Sequence, residues 1–117
     1  MVNYSPQQLD PVFAALADPT RRLILERLTR GEATVTEVAR PFETSLPAIS
    51  RHIKKLEAAG LVARRKDGRI HHLRLVAPPL ENAMQWMSQV HRFWETQLDS
   101  LEQFLKEDPH GQPSQTP

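Results

Sequence analysis

The sequence predicts a mainly α-helical domain with one small β-hairpin. Two observations lead to this prediction: apolar residues recur at helical spacing through most of the chain, and residues 63–75 instead form two short segments around an Asp-Gly pair. The chain has 117 residues, 39% of them hydrophobic, which suffices for one compact domain with a modest core. We assign residues 1–107 to that domain and residues 108–117 to a disordered tail, because the tail is polar and rich in Pro, Gly and Gln.

Composition narrows the cellular context. The chain contains no cysteine, which excludes disulfides and thiolate metal sites. It has no run of 18 apolar residues, and its first residues lack the basic and apolar regions of a signal peptide. We therefore expect a cytoplasmic protein that does not act at a membrane.

Two helices are predicted at the start of the chain. The first has an apolar face of Leu9, Val12, Phe13 and Leu16. It should stop near Asp18, which can cap the next helix, and Pro19 suits the first position of that helix because its missing N–H costs nothing there. The second helix should run from about Pro19 to Arg30 and end at Gly31. Its expected buried residues are Leu23, Ile24 and Leu28.

The next segment, TVTEVARPF, predicts a short helix. Thr34 and Glu37 have the spacing of a capping box, although Thr36 is an equally good cap. Pro41 implies that this helix ends early or bends. The residues expected to face the core are Val38, Ala39 and Phe42.

A longer helix should follow, with Thr44-Ser45 as its cap and Gly60 as its stop. One side carries an apolar stripe of Leu46, Ile49, Ile53 and Leu56. The opposite side carries small residues and cations, namely Pro47, Ala48, Ser50, Arg51, Lys54 and Lys55. Small residues let a helix approach base edges closely, while the cations can reach phosphates.

The hairpin is predicted from Ala63 to Lys66 and from Arg69 to Leu75, joined by a turn at Asp67-Gly68. Leu61 and Val62 return the chain to the core before it. The apolar members of its second strand are Ile70, Leu73 and Leu75, and the cations at its tip are Arg64, Arg65, Lys66 and Arg69.

Positive charge is concentrated in this helix and hairpin. Residues 46–75 hold eight Lys and Arg against two acids, a local charge of +6, whereas the whole chain has a net charge of only +1. The remaining residues therefore carry −5. Such a polarised distribution implies that one face binds a polyanion, because cations that neutralise phosphates release condensed counterions.

The last predicted element is one long helix from about Leu80 to Lys106. An uninterrupted heptad seam follows it, made of Leu80, Met84, Met87, His91, Trp94, Leu98, Leu101 and Leu105. A second stripe beside the seam consists of Ala83, Trp86, Val90 and Phe93. A small domain has few faces on which to bury so wide an apolar surface, so we expect this helix to form a homodimer.

The order helix, helix, short helix, turn, helix, hairpin, long helix is that of a winged helix-turn-helix. The segments LADPTRRLILERL, VTEVARPF, SLPAISRHIKKLEAAGLV and DGRIHHLRL resemble the ArsR/SmtB family of bacterial transcriptional regulators. The resemblance covers about residues 9–105 and is most specific from Ser45 to Val62. It implies a homodimer that binds double-stranded operator DNA, usually represses transcription and dissociates when an effector binds.

By this resemblance, the recognition helix spans about residues 45–59 and the wing spans about residues 63–75. The first and last helices build the dimer interface. The expected DNA-binding residues are Ser45, Pro47, Ala48, Ser50, Arg51, His52, Lys54, Lys55, Arg64, Arg65, Lys66 and Arg69. The expected dimer-interface residues are Leu9, Phe13, Met84, Met87, His91, Trp94, Leu98 and Leu101.

The chain departs from the family at the metal sites that the resemblance implies. Thr34 and Thr36 stand where metal-sensing members carry a Cys-x-Cys motif, and hydroxyls are poor ligands for metals that thiolates select. The site on the last helix is absent too, because Trp94 stands three residues after His91 and no Asp-x-His precedes it. We therefore predict no metal and no cofactor.

Several residues allow two interpretations. His52 could bind a phosphate or fill a packing position, and adjacent His71 and His72 must point to opposite faces of a strand, one to the helices and one to solvent or DNA. His91 could bind a metal or act as a proton switch at a two-fold axis, but a lone His on a seam is more often a simple interface residue.

The effector and the class of function are also open to alternatives. The aromatic and Met residues of the last helix could line a small-molecule pocket or only pack; these are Met84, Trp86, Met87, Phe93 and Trp94. An adaptor for other proteins is the alternative to a repressor, but it has no reason to concentrate +6 on one face. An enzyme is third, because no nucleophile and base set or phosphate loop is present.

Overall fold

The computed structural model describes residues 6–107, with side chains from residue 9 onward. Helices α1 to α5 span Pro6–Leu16, Pro19–Leu28, Val35–Ala39, Leu46–Ala58 and Ala77–Glu107; strands β1 to β3 span Ala33–Thr34, Val62–Asp67 and Ile70–Leu75. These residues fall into two compact units, one ending at Met84 and the other beginning at Gln85. The tail predicted to be disordered lies outside the described residues.

The core of the first unit is built where the first four helices meet the sheet. Its largest fully buried side chains are Val12, Ile24, Val38, Ile49, Ile53, Leu56, Leu61 and Leu73. Burying each of them contributes about 1.5–3 kcal/mol relative to exposure. Three of the eight belong to α4, so this helix is held by its apolar stripe and its other side is left facing outward.

Helix α2 begins as predicted but buries a different leucine. The Asp18 carboxylate accepts the backbone N–H of Arg21 at 3.1 Å, which is the predicted N-cap, and Gly31 has the positive φ of 128° expected after the helix. The prediction for Leu23 is wrong, since it is 52% exposed, while Leu25 is buried beside Ile24. Leu23 lies about 100° around the helix from Ile24 and on the side away from Leu25 and Leu28.

Helix α3 begins at the first of the two caps considered. Thr34 Oγ1 accepts the backbone N–H of Glu37 at 3.1 Å, and the Thr34 N–H donates to Glu37 Oε1 at 2.8 Å. Both bonds of a capping box are therefore present, and Thr36 is not the cap. The helix ends at Ala39, before Pro41, as its sequence predicts.

Helix α4 extends beyond the core at its first turn. Ser45 Oγ accepts the Ala48 N–H at 3.2 Å and caps the helix, and Gly60 follows it with a φ of 78°. The prediction that Leu46 faces the core is wrong, because its side chain is 53% exposed. Leu46 is the first residue of the helix, and the packed part of the stripe begins one turn later, at Ile49.

The sheet has three antiparallel strands in the order β1-β3-β2, not the predicted two. Strand β1 pairs Ala33 with Leu73 and Thr34 with His72, and two residues are too few for a strand pattern to be visible in the sequence. The predicted turn is displaced by one residue. Asp67 pairs with Ile70, so the loop is Gly68-Arg69, with a φ of 62° at Gly68 as in a type II′ turn.

The second strand of the hairpin turns one of its three apolar residues outward. Ile70 is 54% exposed, whereas Leu73 is fully buried and Leu75 is packed against the core. Side chains alternate along a strand, and an odd separation therefore places Ile70 and Leu73 on opposite faces.

Helix α5 is 31 residues long and starts three residues before its predicted beginning. Its only buried residue among those described is Ala83. Among residues 6–107, no helix combines the length and the apolar character that crossing a membrane requires.

Candidate nucleic-acid interface

The outward side of α4 presents the small residues and cations that the sequence indicated. Exposed positions on it are Ser45, Pro47, Arg51, Lys54 and Lys55, and half-buried positions are Ala48 and Ser50. Within residues 9–107, neither Arg51 nor Lys54 nor Lys55 has an ion pair or a side-chain hydrogen bond. Three unpaired cations therefore lie on one side of a helix whose other side is fixed in the core.

His52 lies on α4 but turns toward α2. Its Nδ1 accepts an N–H of Arg21 at 3.2 Å and lies 3.7 Å from the Asp18 carboxylate. The same guanidinium donates to the carbonyl of Ala15 at 2.7 Å, so it joins the end of α1 to α4. The backbone N–H of Arg21 is the main cause that holds the pKa of Asp18 below its ordinary value of 3.8. This geometry supports the packing interpretation of His52.

The tip of the hairpin presents a second group of cations. Lys66 and Arg69 are exposed and have no ion pair among the residues described. Arg65 is also exposed but donates to Glu32 Oε1 at 2.9 Å. An exposed pair of this kind is weak, so Arg65 can exchange its partner for a phosphate at little cost.

Arg64 is engaged within the protein. Its Nε donates to Glu57 Oε2 at 3.1 Å and its Nη2 to Glu57 Oε1 at 2.8 Å, while Nη1 donates to His71 Nδ1 at 2.8 Å. Only 18% of the side chain is exposed, and the bonds to Glu57 raise the pKa of Arg64 above its ordinary value. Glu57, Arg64 and His71 thus join α4 to both strands of the hairpin, and we call them the Glu57 cluster.

The two adjacent histidines lie on opposite faces of β3, as strand geometry requires. His71 belongs to the Glu57 cluster, and His72 Nδ1 lies 3.8 Å from Glu32 Oε1 on the other face. Both are half-buried, and His71 is the one that faces the helices, through the Glu57 cluster; contact of the other with solvent or DNA stays a prediction.

The residues predicted for a dimer interface differ in how much surface they offer. Leu9 is packed into the core of the first unit, and Phe13 is half-buried beside it. On α5, six of the eight seam residues are between 42% and 59% exposed, namely Met84, Met87, Trp94, Leu98, Leu101 and Leu105, whereas Leu80 is half-buried against the core. His91, on the same seam, is exposed and lies 3.3 Å from the Glu95 carboxylate.

The aromatic and Met residues of α5 lie on its surface, where Phe93 and Trp94 meet edge to face with ring centres 6.0 Å apart. Each of the five considered for a pocket, Met84, Trp86, Met87, Phe93 and Trp94, is at least 40% exposed. At the position of the family's cysteine motif, the Thr34 hydroxyl is used to cap α3. Residues 9–107 contain no group of three or more acidic, His or Cys side chains arranged to hold a metal ion.

Reasoning from the sequence missed the acidic partners of the basic residues. Glu57 and Glu32 were not assigned a function, although each pairs with an arginine of β2. The signal for Glu57 was present, since it is one of two acids within the basic stretch. Glu32 pairs across 33 positions of sequence, and no local pattern indicates such a contact.

Comparison with known proteins places this geometry among DNA-binding regulators. A family model described as a helix-turn-helix domain matches residues 16–65. The chain is 34% identical over 79 residues to the transcriptional repressor SdpR of Bacillus subtilis, covering 68% of this chain and 88% of that protein. It is 33% identical over 81 residues to the arsenical resistance operon repressor of Staphylococcus aureus, covering 69% and 78%.

Solved structures have the same fold. A crystal structure of an ArsR family transcriptional regulator is 42% identical, with a TM-score of 0.74 over 81% of this chain and 97% of that chain. An ArsR-like transcriptional regulator from Rhodococcus sp. RHA1 is 32% identical, with a TM-score of 0.68 over 84% and 92%.

Proposed function

The chain belongs to the ArsR/SmtB family of DNA-binding transcriptional regulators, and from this premise we propose that it is a homodimeric repressor that binds an inverted-repeat operator. The family is not enzymatic, and related proteins are repressors. In this proposal α4 enters the major groove and the β2-β3 hairpin is the wing.

The observation that carries the proposal is the set of unpaired cations on α4 and the wing. Arg51, Lys54, Lys55, Lys66 and Arg69 are exposed and have no acidic partner within residues 9–107. Five unneutralised cations on α4 and the hairpin add like-charge repulsion unless an anionic partner neutralises them. DNA phosphates supply the missing charge and release counterions when they do so.

The cations and the small residues have different roles in this proposal. The first turns of α4, near Pro47, Ser50 and Arg51, approach base edges and specify the sequence. Lys54 and Lys55 lie further along the helix and, with the wing, contact phosphates and set affinity. Arg64 is already neutralised by Glu57, so we reassign it from DNA contact to positioning the wing.

The exposed apolar seam of α5 supports the proposed homodimer. An exposed heptad seam of large apolar residues is stable in water only when it is covered, and a second copy supplies a self-complementary surface. The dimer would hold two copies of α4 about 34 Å apart, one turn of B-DNA. In this proposal, binding of a small-molecule effector or of a partner protein releases the dimer from the operator.

The central test is the salt dependence of DNA binding. We predict that Lys54→Ala/Lys55→Ala weakens binding to all sequences and reduces the slope of log affinity against log salt by roughly 1–2 for each half-site, since each phosphate contact contributes about 0.9. The duplex would be one selected by the wild-type protein from a random library, and binding would be measured by fluorescence anisotropy.

Arg92→Ala/Lys106→Ala is the matched control, because it removes the same charge from exposed positions of α5. It should leave the slope close to that of the wild type. Equal slopes for the wild type and the Lys54→Ala/Lys55→Ala variant would contradict the assignment of these lysines. If no sequence were enriched, the protein would be better described as an adaptor.

A further inference from the structure

Leu46 occupies an unusual place for a large apolar side chain. It is the first residue of α4, directly after the Ser45 cap, and 53% of it is exposed. The next members of its stripe, Ile49 and Ile53, are completely buried. Single exposed leucines are common on protein surfaces, so exposure alone means little. The location of Leu46 is informative, because the N-terminal end of α4 is the part of the protein that approaches the bases in the proposed function.

The surroundings of Leu46 combine polar, basic and aliphatic side chains, Val35 among the last. Leu46 lines a groove of about 520 Å³ between α3, α4 and the wing, together with Thr36, Ser50, Arg69 and Ile70. The hydroxyls and the cation suit phosphates and polar base edges, while the aliphatic side chains Val35, Leu46 and Ile70 do not. Leu46 therefore needs a partner that is apolar and yet lies within a polyanion.

One base edge in the major groove meets that requirement. Thymine carries a C5-methyl group there, whereas the other bases present only hydrogen-bond donors and acceptors. We infer that Leu46 packs on a thymine methyl and makes the protein select A·T over G·C at one position of each half-site. This inference rests on the proposed function, since it assigns a base preference to the same interface.

Ile70 provides an internal control. It is 54% exposed, lines the same groove and has the same number of carbon atoms in its side chain. It lies next to the turn of the wing, however, and a wing contacts the backbone or the minor groove, where no methyl group is displayed. Ile70→Ala should therefore not change how the protein responds to a thymine methyl.

The test removes the methyl group from the DNA instead of from the protein. The duplex selected by the wild-type protein would be synthesised with each thymine replaced in turn by deoxyuridine, which lacks only that methyl. One position in each half-site should weaken wild-type binding roughly fourfold, the effect of exposing one buried carbon group. Leu46→Ala should bind the thymine and uracil duplexes equally, whereas Ile70→Ala should keep the fourfold difference.

The outcomes separate the two proposals. Tight, selective binding with no deoxyuridine effect, or with an effect that Leu46→Ala retains, overturns the inference and leaves the proposed function intact. Failure to select any duplex overturns both. A wild-type scan that is insensitive to every thymine methyl overturns the inference even if a variant does not fold, because such a protein cannot be using Leu46 in this way.

Discussion

At the scale of single residues, Arg64 illustrates how a cation in a basic strand can serve the fold instead of the ligand. Its guanidinium makes two bonds to Glu57 and one to His71, so all of its short contacts are within the protein. A bidentate pair with a carboxylate has a fixed geometry. The Glu57 cluster therefore sets the angle between α4 and the wing.

This role predicts that Glu57→Gln and Arg64→Ala weaken DNA binding alike. Removing an acid from a basic surface would strengthen binding if charge alone mattered, so a loss for Glu57→Gln identifies positioning. Urea denaturation of the two single variants and the double variant should give a coupling of about 1–2 kcal/mol. The exposed pair of Arg65 and Glu32 is the control, with a coupling below about 1 kcal/mol. Tighter binding by Glu57→Gln would refute the positioning role.

The ionisation of Asp18 is coupled to the stability of the fold, because its carboxylate caps α2 in the ionised form. The backbone N–H of Arg21, which is the largest cause, lowers the folded-state pKa of Asp18 from 3.8. Folding therefore favours the ionised carboxylate. Its contribution to the free energy of unfolding is fully present above the pKa of Asp18 in the unfolded chain, and it is lost as the pH falls through the pKa in the folded protein.

We predict that Asp18→Asn, which keeps a capping oxygen but no charge, is less stable than the wild type at about pH 7 and that the difference shrinks below 3.8. The free energy of unfolding would be measured by urea denaturation across this pH range. Ser45→Ala is the control, because Ser45 caps α4 without a titratable group, and its deficit should stay constant with pH. A constant deficit for Asp18→Asn would show that its charge does not stabilise α2.

At the scale of elements, the short helix α3 depends on a single capping residue. Thr34 is paired in β1 and also begins α3, so strand and helix share one residue. A five-residue helix makes few bonds of its own and needs its cap and its packing to persist. The cap therefore fixes where the turn before α4 starts.

Thr34→Ala should lower the free energy of unfolding by about 1 kcal/mol, because it removes the acceptor for the Glu37 N–H. Thr34→Ser keeps that hydroxyl and should lie within a few tenths of a kcal/mol of the wild type. Thermal and urea unfolding would measure both. Equal losses for the two variants would mean that the threonine methyl, and not the cap, matters at this position.

Element boundaries were largely predictable, while the orientation of terminal residues was not. Capping residues act within four positions of sequence, so Asp18 and Ser45 were found correctly. Leu46 belongs to the predicted apolar stripe but is exposed, because it sits at the end of α4. A periodic pattern tells which side a residue is on, but not how far the core extends along that side.

At the scale of the whole molecule, the apolar seam of α5 is the feature that a single described chain leaves uncovered. Met87, Trp94, Leu98 and Leu101 are exposed at heptad spacing. His91 lies among them beside Glu95, and its imidazole has no role in the proposal beyond filling its place on the seam.

We predict that Leu98→Lys/Leu101→Lys dissociates the dimer and lowers operator affinity by at least tenfold, because charges in a seam oppose its burial. Sedimentation velocity would give the mass of the particle. Gln103→Lys, on the opposite side of α5, should remain dimeric, and so should His91→Leu. A monomeric wild type would rule out this interface, and a monomeric His91→Leu would give the imidazole a structural role.

The sequence by itself determined the order of the helices, their caps and the concentration of positive charge, because these depend on residues a few positions apart. The tertiary structure alone decided which cations remain free for DNA. Arg64 and Arg65 are neighbours in sequence with equal charge. Arg64 is largely buried and held by Glu57, whereas Arg65 is exposed and only weakly paired with Glu32. It also decided that Leu46 and Ile70 face outward, since the burial of a side chain depends on where the other elements end.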